Sequence, residues 1–164
     1  MIRFSKILFL NPARIGISGV KCSYDNIIKI ANIFDWKCIV LTIDSVTEES
    51  PLLKFIKNHK LKYSVKKRST NYMEISVVVP HDLFNCVLEE AISEDPENIF
   101  VFNLLDCTNW DIHLQCSFED LVATGITNAF ISISLDENAL LISVNKFLIQ
   151  PQKLYRKIKT LRFD

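Results

Sequence analysis

The sequence predicts a three-layer α/β domain with a mixed, partly parallel sheet and a C-terminal antiparallel hairpin. Three observations carry this. Helical apolar spacing alternates along the chain with short continuous apolar runs, such as Cys38-Ile39-Val40-Leu41, of the kind that buried strands show. Near the C-terminus, Ala129–Leu135 and Ala139–Val144 alternate apolar and polar residues and are joined by Asp136-Glu137-Asn138, a hairpin pattern. The 164 residues, 49% hydrophobic and 23% charged, fit one domain, 1–164, whose basic tail 150–164 reads as a helix or a frayed end.

Taken in order, Arg3 to Leu10 reads as a first strand, stopped by Asn11-Pro12. Its apolar run, Ile7 to Leu10, is shorter than the roughly 7–15 residues of a signal-peptide core. Asn11 to Cys22 reads as a loop because it holds Gly16 and Gly19. Ser23 is an N-cap for a helix whose apolar face is Ile27, Ile30, Ala31 and Phe34. Lys37 to Ile43 is a buried strand, and Asp44 to Glu49 a polar loop. Ser50 and Pro51 form an N-cap and first-turn pair before Leu52, Phe55 and Ile56. Tyr63 and Val65 mark an edge strand inside an ambiguous stretch, Leu61 to Thr70. Tyr72 to Val79 is a clearer strand, stopped by Pro80.

His81-Asp82 caps a third helix, with Phe84, Val87, Leu88 and Ala91 on one face. Asp95-Pro96-Glu97-Asn98 turns the chain into the strand Ile99–Leu105. A polar stretch, Asp106 to Ser117, leads to a short helix, Phe118–Thr124, closed by Gly125. The unit of helix, turn, strand and Asp ends at Asp44, Asp106 and Asp136, a recurrence that any chain of alternating strands and helices produces.

Chemistry is sparsely signalled. In a sheet with parallel strands, Asp44, Asp106 and the Asn11–Gly19 loop, with Asp136 as a further candidate, would gather at the carboxyl edge, where such folds bind metals or phosphates. The glycine spacing matches neither a P-loop nor a dinucleotide fingerprint. Cys107, His113 and Cys116 are soft, zinc-compatible ligand types, yet no Cys-x-x-Cys pair accompanies them. No nucleophile elbow exists. The expectation is therefore no catalytic residue, no metal and no cofactor. Five cysteines, an odd number, read as reduced thiols in a cytoplasmic protein. No apolar run reaches the roughly 18 residues of a membrane span.

Charge is the informative feature. The formal net charge is zero. Residues 1–70 hold thirteen Lys or Arg against five acids, a block of +8. Residues 71–145 hold thirteen acids and no Lys or Arg, and residues 146–164 return to +5. The densest acidic stretch contains Glu89, Glu90, Glu94, Asp95 and Glu97. Asp106, Asp111, Glu119 and Asp120 follow, with Trp110 among them as an aromatic anchor. These ten residues are the expected partner-binding set, since an acidic face accelerates encounter with a basic partner and selects it. The basic segment Lys54 to Arg68 reads as a solvated helix and a lysine-defended sheet edge rather than a nucleic-acid site.

In size, in lacking a catalytic motif, in richness in Ile, Asn and Lys, and in the acidic block from Glu74 to Glu137, the chain resembles as a class the immunity proteins of bacterial toxin–immunity systems, including contact-dependent growth inhibition. No residue carries over from a family motif, and the basic Lys54–Arg68 block departs from the pattern. The resemblance implies a non-enzymatic protein that neutralises a basic, nuclease-like toxin domain through its acidic face. The alternative is a small enzyme with a metal or phosphate site at the strand ends.

Overall fold

The structure, a computed structural model, describes residues 2–4, 13–34, 38–67, 72–104 and 127–164. In chain order the elements are β1 (Arg3–Phe4), β2 (Ala13–Ser18), α1 (Tyr24–Ala31), β3 (Cys38–Val46), α2 (Pro51–Asn58), β4 (Tyr63–Lys67), β5 (Met73–Pro80), α3 (Phe84–Ser93), β6 (Asn98–Leu104), β7 (Thr127–Ser134), β8 (Ala139–Val144) and α4 (Pro151–Thr160). A 3₁₀ turn, His81–Leu83, leads into α3. The expected strand Arg3–Leu10 falls mostly outside the described residues, as do the polar stretch from Asp106 and the short helix Phe118–Thr124.

Among the described residues eight strands form one sheet in the order β1-β2-β8-β7-β6-β3-β5-β4, and every neighbouring pair is antiparallel. This overturns the mixed, partly parallel sheet expected from the sequence. The helices do join parallel strands, as the alternation of elements suggests. They cross over intervening ones, however. Helix α2 links β3 to β4, with β5 between them, and α3 links β5 to β6, with β3 between them. Two split β-α-β units thus interleave, so parallel partners are never neighbours. The C-terminal hairpin β7–β8 lies inside the sheet, flanked by β6 and β2, rather than at an edge.

The three expected layers are also reduced to two among the described residues. Ala13, Ile15 and Ile17 of β2 share one core with Ile39, Leu41 and Ile43 of β3, Ile131 and Ile133 of β7, and Leu140 and Ile142 of β8. The buried stripes of all four helices pack into that same core: Ile27 and Ile30, Leu52 and Ile56, Val87 and Leu88, Leu154 and Ile158. Val40, pointing the other way from β3, is buried but stands outside it. On that second face Phe100 and Phe130 stack, with ring centroids 5.9 Å apart.

Local chemistry explains the helix starts. The Ser23 hydroxyl accepts from the Asn26 N–H at 3.4 Å and caps α1. The Ser50 hydroxyl accepts from the Leu52 and Leu53 N–H groups at 3.1 and 3.4 Å, with Pro51 in the first turn of α2. At α3 the sequence reading needs correction: Leu83, not His81 or Asp82, holds the N-cap position, and no side chain among the described residues caps it. The loop expected over Asn11–Cys22 contains β2 instead. Its alternation puts Ala13, Ile15 and Ile17 inward and Arg14, Gly16 and Ser18 outward. Of Gly16 and Gly19, only Gly19, at φ 74°, uses glycine's left-handed freedom. Likewise β3 continues to Val46 through the expected polar loop, with a register irregularity between Ile43 and Val46.

Candidate functional site

Antiparallel pairing decides what the sheet can assemble. Strand β3 ends near Val46, whereas Leu104, the last residue of β6, pairs with Cys38 at the start of β3. The two strands therefore run out at opposite ends, and no shared carboxyl edge collects Asp44 and the residues after β6. Asp106 itself lies outside the described residues. Asp44 sits at the β3 irregularity, half-buried, with one carboxylate oxygen lacking a hydrogen-bond partner among the described residues. Among those residues no three His, Cys, Asp or Glu side chains come together as metal ligands. Cys107, His113 and Cys116 lie outside the described residues, as do Trp110, Asp111, Glu119 and Asp120 of the expected partner-binding set.

The remaining five residues of that set converge at one end of the sheet. Glu89 and Glu90 occupy the last two turns of α3, exposed and half-buried respectively. Glu94 is the C-cap residue of α3, and Asp95 follows at φ 54°. Glu97 then enters β6, and its carbonyl accepts from the Leu135 N–H at 3.1 Å. That bond ties the α3–β6 turn to the β7–β8 turn, where Asp136 and Glu137 are exposed. On the other side Glu94 Oε1 accepts from the Ser50 hydroxyl at 2.5 Å and from the Leu52 N–H at 3.2 Å. This brings in the β3–α2 turn, with exposed Glu48 and Glu49.

Three loops thus form an acidic rim: Glu48 and Glu49, then Asp95 and Glu97, then Asp136 and Glu137. Sequence reasoning left the first and last pairs out of the partner-binding set, because only the strand order makes them neighbours. It also assigned Glu94 to a partner, whereas Glu94 caps α2 from inside the protein. Lys29 stands beyond the rim on α1, where its ammonium is 3.5 Å from the Asp164 carboxylate and donates to the Arg162 carbonyl at 2.9 Å.

A groove of about 440 Å³ opens beside Glu137 on the face opposite the helices, lined by Arg3 and by the hydroxyls of Ser18, Ser132 and Ser134. The helix termini add to the polarity of the molecule. Helix α3 carries Glu89, Glu90 and Glu94 at its C-terminal end and no basic residue in its last turn. Carboxylates there face the negative end of the helix dipole, an arrangement that local stability disfavours. Besides Arg3 in the groove and Lys29 next to the rim, exposed basic side chains include Lys54, Lys57 and Lys60 on and just after α2, Lys62 and Lys66 just before and on edge strand β4, and Lys153, Arg156, Lys157 and Lys159 on α4.

No protein-family model matches the chain, and no curated protein matches it. Among solved structures, the ligand-free regulatory subunit of aspartate kinase from Thermus thermophilus is similar with a TM-score of 0.30 and 10% identity, over 76% of this chain and 92% of that one. The aspartokinase alpha and beta subunits give a TM-score of 0.28 and 14% identity, over 77% and 95%. TM-scores at this level define no shared fold. No helix among the described residues is long and apolar enough to cross a membrane.

Proposed function

We propose that the protein is a non-enzymatic binding protein that neutralises a basic protein partner, in the manner of a toxin-domain immunity protein, by docking its acidic rim onto the partner's positive surface. The observation that carries this reading is the gathering of Glu48, Glu49, Asp95, Glu97, Asp136 and Glu137 from three separate loops onto one end of the sheet. Such a rim raises the association rate with a cation-rich surface and penalises acidic competitors.

The test is affinity capture of the tagged protein from its own cells at low and high salt, followed by kinetics with the captured partner. The expected result is one stoichiometric basic protein, lost at high salt. Replacing Glu97, Asp136 and Glu137 together by Lys should slow association at least tenfold and flatten its salt dependence. Unchanged kinetics in that variant would overturn the electrostatic docking. Glu94 is left intact because its cap would be lost.

A further inference from the structure

Helices α1 and α4 are clamped together at the acidic end and separated at the other. At the clamped end the Asn26 side chain hydrogen-bonds the Asp164 backbone twice, and Lys29 reaches the Arg162 carbonyl. At the opposite end a cavity of about 260 Å³ lies between Ile33 and Phe34, just after α1, and one side of α4. Phe34, Ile149 and Leu154 give it apolar walls. The amide of Asn128, 6% exposed, supplies a buried polar group on the sheet side. Lys153 and Lys157, one helical turn apart on α4, also line it.

We propose that this cavity binds a small amphipathic carboxylate, with its apolar body between α1 and α4 and its anionic end held by Lys153 and Lys157. Three features fit that class. First, the cavity combines apolar walls with convergent polar groups, as ligand sites do, and 260 Å³ falls just under the usual range of about 300–1,000 Å³, so the ligand is small. Second, the two ammonium groups stand at an i, i+4 spacing where like charges repel, and no acidic side chain among the described residues pairs with either. Third, α4 has no acidic residue in its first turn and no side-chain cap among the described residues, so the Lys153 charge also faces the positive end of the helix dipole. A bound carboxylate relieves both repulsions at once. Phe34, Ile149 and Leu154 favour a ligand with an apolar body over a bare inorganic anion.

This site is at the far end of the molecule from the acidic rim and is independent of it. The experiment is an NMR titration of the full chain with octanoate and, separately, with octanamide, which has the same tail and no charge. Octanoate is expected to shift the Asn128 side-chain amide and the backbone signals of Phe34 and Leu154, and to bind at least tenfold more tightly than octanamide. The double variant Lys153→Glu/Lys157→Glu, at two exposed positions, should keep the wild-type spectrum elsewhere and weaken octanoate at least tenfold while leaving octanamide unchanged. No shift with either compound, equal affinities for the two, or unaltered octanoate binding in the double variant would each overturn the proposal.

Discussion

Asn26 is only 1% exposed, yet its amide is well used. It donates to the Lys21 and Asp164 carbonyls at 2.8 and 3.2 Å, and it accepts from the Asp164 N–H at 3.0 Å. Removing it breaks three part-buried hydrogen bonds to the backbone of Lys21 and Asp164, each worth about 0.5–1.5 kcal/mol net. Asn26→Ala should therefore lower stability by about 2–3 kcal/mol, read from the midpoint of urea unfolding at unchanged slope. Cys22 offers a different test. Its thiol is buried, with Sγ 3.6 Å from the Ser134 carbonyl oxygen, and burial pushes its pKa up. The folded thiol holds its proton to higher pH than the unfolded one. Its stabilising contribution is whole at neutral pH and is lost as the solution climbs through the thiol range. Cys22→Ala should make alkaline melting temperatures fall less steeply with pH. In the native protein, exposed Cys86 should be alkylated well before Cys22.

At the scale of elements, the end of α2 shows local rules met with an unfavourable residue. The Lys60 N–H donates to the Lys57 carbonyl at 3.1 Å and the Leu61 N–H to the Ile56 carbonyl at 3.1 Å, a Schellman closure. Its left-handed position is held by Lys60 at φ 53°, where glycine is preferred. Lys60→Gly should raise stability by about 1 kcal/mol, measured by thermal unfolding. Elements of this kind were legible in the sequence because their signals are local. The Ser23 and Ser50-Pro51 caps, the apolar faces of the helices and the β7–β8 turn all depend on residues within a few positions of one another. What the sequence hid was non-local. Glycine spacing disguised β2, although Ala13, Ile15 and Ile17 already alternate inward, and Asp44 disguised the continuation of β3. Strand neighbours were beyond reach, because a crossover helix looks the same whether it skips a strand or not. The acidic block was readable as charge, but its assembly with Glu48 and Glu49 depends on the strand order, and the role of Glu94 depends on a hydroxyl 44 positions away at Ser50.

Across the whole molecule, a neutral total conceals poles. Acids gather on the three loops at one end, while α4 carries its lysines from the opposite end onward. Helix α3 places its C-terminal glutamates, and α4 its Lys153, against their own dipoles, and local rules broken in this way mark positions kept for a purpose other than stability. The expectation is a trade-off. Glu89→Lys/Glu90→Lys should stabilise the free protein by about 0.5 kcal/mol while slowing association with the basic partner. A calorimetric melt and a stopped-flow association trace on the same sample check both halves. The pairing of β2 with β8 has a further consequence. Residues 13–18 find their partner strand only at 139–144. During synthesis on the ribosome, the early segment must wait, with Ile15 and Ile17 uncovered, until β8 has emerged. A polypeptide interrupted before that point cannot close its sheet, so the native state also certifies that translation has run past β8.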